Sequence, residues 1–180
     1  MKKYRLTEET TKVGNRTLYR TLYRIQALRD FGNVKEGDIG GYIESEKNLS
    51  QDGNAWVSGD ARVYGNACVY GNARVSGDAC VYGNARVYGD ARVSGNAQVS
   101  GDADIKTTGD ICSMSGFGSE YRTTTAFRTK NGDVHVSCGC FFGSLEEFCQ
   151  RVESTHGNNL YGREYKKMIE MLKIHFEVEP

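Results

Sequence analysis

The chain has a single proline, Pro180, and no net charge, since 23 Lys and Arg balance 23 Asp and Glu. That balance excludes the bulk electrostatic attraction by which sequence-independent binders hold nucleic-acid phosphates. It holds by segment as well: residues 1–50 carry ten basic and seven acidic groups, residues 51–112 five and seven, residues 113–180 eight and nine. Little proline beside 22 glycines argues against a disordered linker composition, because the glycine is periodic. No apolar run approaches the roughly 20 residues that span a bilayer. The amino terminus lacks the apolar core of a signal peptide. Six scattered cysteines make no dense disulfide framework, so free thiols in the cytoplasm are expected. On that reading the sequons at Asn15 and Asn48 carry no glycan.

Nine six-residue units run from Val57 to Asp110. The first eight read Val-[Ser/Tyr]-Gly-[Asn/Asp]-Ala-X and start at Val57, Val63, Val69, Val75, Val81, Val87, Val93 and Val99; the ninth, from Ile105, is degenerate. A fixed short period is the signature of a solenoid. Each unit offers one large apolar residue, Val, and a small one, Ala, four positions later. The Gly-Asn or Gly-Asp between them tolerates positive φ and supplies a turn. Short strands and turns in alternation make a parallel coil with Val inside and Ala where space is tight. This pattern closely resembles the hexapeptide-repeat, left-handed parallel β-helix family, in which three hexads close one triangular coil. The resemblance implies about three coils here. A pentapeptide-repeat prism is disfavoured because the valines are spaced by six.

With three hexads per coil, residues 18 apart stack, with neighbouring strands about 4.8 Å apart. Tyr64 then stacks with Tyr82, Tyr70 with Tyr88, and Arg74 with Arg92, while Ser58, Ser76 and Ser94 form a third column. Arg62 precedes Cys80 and Gln98, and Cys68 precedes Arg86 and Asp104. Tyr64, Tyr70, Tyr82, Tyr88, Arg74, Arg86 and Arg92 are the candidate binding residues, since Tyr and Arg are enriched at binding hot spots. The plainer alternative is that such ladders stabilise the solenoid itself.

The remainder divides into residues 1–50, an N-terminal β cap with an imperfect first coil, the repeats at 51–112, a Ser/Gly/Thr-rich linker at 113–122, and a small module at 123–180. Residues 17–28 read as a strand, within which Thr-Leu-Tyr-Arg occurs twice, at 17–20 and 21–24. Ile43 and Leu49, six apart, open the solenoid register. In the module, residues 124–130 and 134–141 flank Asn131-Gly132, a type I′ hairpin signal. Ser144 and Glu147 form a capping box, and Leu145, Phe148, Cys149 and Val152 follow at helical spacing. A second helix fits residues 161–176, with Tyr165, Met168, Ile169, Leu172 and Phe176 on one stripe. His156-Gly157-Asn158 is the turn between them.

None of the three histidines, His135, His156 and His175, lies in the hexads. Hexapeptide acyltransferases use a histidine base on or near the coils, and related carbonic anhydrases use histidine zinc ligands there, so no catalytic position of either carries over. No catalytic residue and no cofactor are therefore expected. Cys138 and Cys140, with His135 and Cys149 as further ligands, are the one metal candidate, though their spacing is not a zinc knuckle. The plainer reading is small buried residues on a hairpin. A Cys–His pair drawn from Cys138 or Cys140 and His156 has no supporting motif.

Two further resemblances concern the ends. The stretch from Tyr23-Arg24-Ile25-Gln26-Ala27-Leu28 through Gly40-Gly41-Tyr42-Ile43-Glu44 and Asn48-Leu49-Ser50 is similar to the start of uncharacterised hexapeptide-repeat proteins of bacteria and their phages. Tyr121-Arg122 through Cys138-Gly139-Cys140-Phe141, with Gly143-Ser144-Leu145-Glu146-Glu147-Phe148 and Thr155-His156-Gly157, resembles a small module of phage and prophage proteins. The absence of a recognisable active site, the outward Tyr/Arg ladders and these phage-like ends together lead to the expectation of a non-catalytic binding protein in the host-cell cytoplasm. Such a protein would inhibit a host defence system, for example as an anti-CRISPR. It would act by contact with a host or phage protein complex, including an effector bound to nucleic acid, without a membrane. The fold implies a homo-oligomer. The other classes are a nucleotide-signal sponge using Arg74, Arg92 and the neighbouring tyrosines, a structural or virion solenoid, and an acyltransferase-like enzyme.

Overall fold

A computed structural model describes residues 1–14 and 19–178. Asn15 and the first two residues of the 17–20 tetrapeptide lie outside them. The chain opens with an antiparallel hairpin, β1 (Tyr4–Gly14) and β2 (Tyr19–Ala27), and β3 (Ile39–Ile43) adds antiparallel to β2. Nine two-residue strands follow: β4 (Trp56–Val57), β5 (Arg62–Val63), β6 (Cys68–Val69), β7 (Arg74–Val75), β8 (Cys80–Val81), β9 (Arg86–Val87), β10 (Arg92–Val93), β11 (Gln98–Val99) and β12 (Asp104–Ile105). The six strands β4 to β9 each pair in parallel with the strand 18 residues on, as Val63 with Val81 and Val69 with Val87. The result is a parallel β-solenoid whose three faces are the sheets β1-β2-β3-β5-β8-β11, β4-β7-β10 and β6-β9-β12.

The hexad chemistry explains the coil. Every repeat Val and Ala is buried. The turn glycines lie at positive φ, 71° at Gly83, and a β-carbon there would come within 2.9 Å of the Gly101 nitrogen in the next coil. Glycine is therefore required both by conformation and by the close approach of backbones. The residue after it bonds to the coil above, as the Asn66 amide donates to the Gly83 carbonyl at 2.8 Å.

There are four coils, one more than the hexads alone imply. Ile43 pairs with Val63 and Leu49 with Val69, so the first coil is built by the cap, with two extra residues between Leu49 and Val57. Ile111 joins the same core at the far end.

Both ends of the core are covered by aromatic rings. At the first, Trp56 meets Phe31 and Tyr4 edge-on at 5.4 and 6.4 Å between ring centres. Lys3 is fully buried beside them. Its Nζ donates to the Ala55 carbonyl at 2.9 Å and lies 5.1 Å from the Phe31 ring centre. At the other end Phe127 is buried in the solenoid core, with Phe142 tilted against it at 6.4 Å.

Phe127 belongs to a four-stranded antiparallel meander, β13 (Ile111–Phe117), β14 (Arg122–Arg128), β15 (Val134–Cys138) and β16 (Phe141–Ser144), followed by α1 (Leu145–His156) and α2 (Leu160–His175). The expected linker at 113–122 is therefore mostly strand. Ser113, Ser115 and Gly116 sit at exposed positions of the edge strand β13, which pairs with β14, while Gly118 and Ser119 lie in the turn between the two strands. Where one hairpin is expected between residues 124 and 141, that stretch enters two, β14–β15 and β15–β16, beside the β13–β14 pair. At Asn131-Gly132 only the glycine has positive φ, 87°, and the Gly132 amide donates to the Thr129 carbonyl. That is a type I turn closed by a left-handed glycine, not type I′, which needs positive φ at both residues. The second turn, Gly139-Cys140, with Gly139 at +60°, fits type II′.

The capping box forms: the Glu147 amide donates to Ser144 Oγ at 3.1 Å and the Ser144 amide to Glu147 Oε2 at 2.7 Å. Leu145, Phe148 and Val152 of α1 and Tyr165, Met168, Ile169 and Leu172 of α2 bury against the Val134–Val136 face of the sheet. No helix among the described residues is long and apolar enough to cross a membrane.

Candidate functional site

The tyrosine columns form as stacked pairs. Tyr64 and Tyr82 lie 5.1 Å apart with rings 3° from parallel, and Tyr70 and Tyr88 5.0 Å apart at 6°. All four are half-buried. They occupy two different faces, Tyr64 and Tyr82 following β5 and β8, Tyr70 and Tyr88 following β6 and β9. Burial pushes the Tyr64 hydroxyl up to about 12.

Arg86 is bound into the second pair. Its Nη2 donates to Tyr70 Oη at 2.7 Å, and its guanidinium carbon lies 5.9 and 5.4 Å from the two ring centres. Asp104 closes the group, accepting from Tyr88 Oη at 2.9 Å and facing Arg86 Nη1 at 3.6 Å. The bond to Tyr70 raises the Arg86 pKa, and the bond to Asp104 raises that of Tyr88. These donors serve the ladder's own geometry.

Arg74 and Arg92 do not join the tyrosines. They stack in register with Trp56 on the third face, the one bearing Ser58, Ser76 and Ser94. The seven candidates therefore divide among three faces. A hexad contributes its X residue and its Tyr or Ser to adjacent corners of the coil, so nearness in sequence does not place them on one surface.

Two features of this surface lie outside the hexad Tyr/Arg pattern. Arg24 of β2 lies 4.3 Å over the Tyr42 ring and bonds Glu9 at 2.9 Å and Asp60 at 3.3 Å, tying the hairpin to the coil. The turn amides also form directed chains: Asn54 donates to Asn72, which donates to Asp90, and Asn66 to Asn84, which donates to Asp102. The 18-residue spacing carried the signal for these chains, since each ends on an aspartate that can only accept. Nothing in the hexads marked Arg24.

In the C-terminal module the metal candidates separate. Cys138 points with Val134 and Val136 towards the helices, whereas His135 is on the opposite face, its ring 5.5 Å from Phe142 and its Nδ1 buried without a partner. Residues three apart on a strand cannot share a face. Cys140 sits in the type II′ turn, beyond the strand, and Cys149 is half-buried on α1. Among the described residues no group of three or more His, Cys, Asp or Glu is placed to hold a metal ion.

Cys138, Cys140 and His156 do line one cavity, of about 360 Å³, between the sheet and α1. Thr124 Oγ1 donates to Cys138 Sγ at 3.2 Å, and the His156 ring stacks on Tyr165 at 5.6 Å. Burial, and then the neighbouring Cys138, pushes the Tyr165 hydroxyl up to about 12. Arg122, Arg151 and Phe148 complete the lining. These residues are scattered in sequence, and only the fold brings them together.

The stacked coils define a β-solenoid repeat protein. In agreement, the repeats match the model of the YdcK β-solenoid repeat at residues 55–71, 67–83, 79–95 and 85–101. The repeat region of this chain is thus similar to that family's, while the cap and the C-terminal module lie outside the match. Among curated proteins no sequence matches the chain.

Proposed function

We propose that this chain is a binding scaffold that acts by protein–protein contact and carries out no reaction, and that its partner is a component of a host defence system such as a CRISPR nuclease complex. The observation that carries the reading is the pair of tyrosine stacks, held half-exposed at 5.1 and 5.0 Å on two faces of a rigid coil. Aromatic groups ordered before binding lose little entropy on association and make good anchors. The resemblance of the C-terminal module to phage and prophage proteins, and of the cap to uncharacterised proteins of bacteria and their phages, supports the defence setting.

The same geometry disfavours two alternatives. The rings are already in stacking contact, so no nucleobase enters between them, and Arg74 and Arg92 lie on another face. An open virion-type stack of solenoids meets covered ends, Trp56 with Phe31 at one and Phe127 at the other.

The test expresses the chain in cells that each carry one immune system and challenges them with phage. One system should lose protection, and the double variant Tyr64→Ala/Tyr82→Ala, or its counterpart Tyr70→Ala/Tyr88→Ala, should restore it while remaining folded. Unchanged immunity in every system would sink the defence assignment.

A further inference from the structure

We infer that the cavity between β14–β16 and the two helices is a binding site for a small aromatic anion, its charge held by Arg122 and Arg151 and its ring packed on Phe141, Phe148 and Tyr165. The cavity measures about 360 Å³ and opens to solvent, within the range that accepts a small organic ligand. Its two guanidinium groups come from different elements, Arg122 from β14 and Arg151 from α1. The nearest carboxylate to Arg122 is Glu120 at 3.7 Å, and Arg151 makes no ion pair with any described residue. Glu120 also lines the cavity, so its charged lining is two guanidinium groups and one carboxylate, and the unpaired Arg151 leaves positive charge to be matched by an incoming anion.

The walls are shaped around these side chains. A β-carbon at Gly139 would collide with the Arg122 guanidinium, and one at Gly118 would collide with the Tyr165 hydroxyl. Both glycines hold positive φ, +60° and +72°, as the turns that border the cavity require. Tyr165 is fixed further by His156, stacked on it at 5.6 Å, and by Phe148, edge-on at 5.8 Å. A planar ring entering the cavity therefore meets aromatic surfaces already locked in place, and an attached carboxylate or phosphate meets planar donors that bind such groups in pairs. This site stands apart from the tyrosine ladders, and it can fail without touching the reading of those ladders.

Calorimetric titration of the full chain with benzoate, phenyl phosphate and adenosine monophosphate tests it, with benzyl alcohol and adenosine as uncharged counterparts and inorganic phosphate as the ringless one. At least one aromatic anion should bind saturably at or below millimolar concentration. Its uncharged counterpart and inorganic phosphate should each bind at least about tenfold more weakly, the equivalent of one charge-assisted contact. Arg151→Ala and Arg122→Ala should each weaken the anion by about the same factor with unchanged circular dichroism, and Arg151→Lys should recover only part. Phenyl phosphate against benzoate tells which acid group is preferred. The proposal is overturned if no aromatic anion saturates, if the uncharged partner binds equally well, or if binding survives both arginine substitutions.

Discussion

At the residue scale the most unusual group is Lys3, an amine buried among the rings that close the first coil. Burial, then the nearby Arg29, lowers its pKa from 10.5 to about 8. The unfolded chain therefore binds this proton more tightly than the folded one. Stability should rise as pH increases from about 8 towards 10.5, because the folded state no longer has to hold a desolvated charge. Tyrosines titrate in the same window, so the measurement is a difference. Urea unfolding at pH 7, 8, 9 and 10 should show wild type gaining on Lys3→Met as pH rises. A constant difference across that range would remove Lys3 as the cause. Tyr64 works in the opposite sense. Its raised pKa means that the folded state resists the phenolate, and the stability it adds is complete below pH 10 and lost as pH climbs towards 12.

At the scale of the element, the turn column separates two demands on glycine. Gly83 and Gly95 have almost the same φ, 71° and 64°, but a β-carbon at Gly83 meets the next coil's backbone at 2.9 Å, whereas one at Gly95 meets nothing within 4 Å. Gly95→Ala should cost about 1–2 kcal/mol, the conformational term alone. Gly83→Ala should cost clearly more, since the stacked turns at Gly83 and Gly101 must also part. Equal losses in thermal unfolding would show that the contact is relieved at no cost.

The amide chains make a second element-level prediction. Asn84 donates to Asp102 at 3.2 Å, so Asn84→Asp sets two carboxylates against each other. The variant should lose about 1 kcal/mol at neutral pH and recover it as the pH falls below about 4, where one carboxylate takes a proton. A loss independent of pH would mean that the bond matters and the repulsion does not.

For the whole molecule, the closing of the core is decisive. Phe127 lies on β14 of the C-terminal module but is fully buried in the solenoid core, and Thr129 bridges to Ala103 beside it. Truncating such a ring costs about 3–5 kcal/mol. Phe127→Ala should therefore lower the stability of coil and module together, and hydrogen exchange should accelerate in β11 and β12 as well as in β14. Protection lost in β14 alone would make the module an appendage. The module's four strands and two helices have a small core of their own around Phe148, Tyr165 and Leu172, and Phe127 is the ring that the module lends to the coil.

The coil was legible in the amino-acid sequence because its cause is local and repeated. Val, Gly and Ala at a six-residue period determine strand, turn and interior, and the 18-residue stacking of Tyr64 on Tyr82 follows by counting. The capping box at Ser144 and the stripe from Tyr165 to Leu172 were readable for the same reason, as periodic patterns with local partners. The tertiary structure alone decided which faces the ladders and arginines share, because a corner turn separates residues that are neighbours in the chain. It alone placed β13 where serine and glycine suggest a linker, since an edge strand is held by its partner and not by its own propensity. It alone drew Arg122, Cys138, Arg151 and Tyr165 around one cavity. Contacts of that kind depend on packing between distant segments, which no local period encodes.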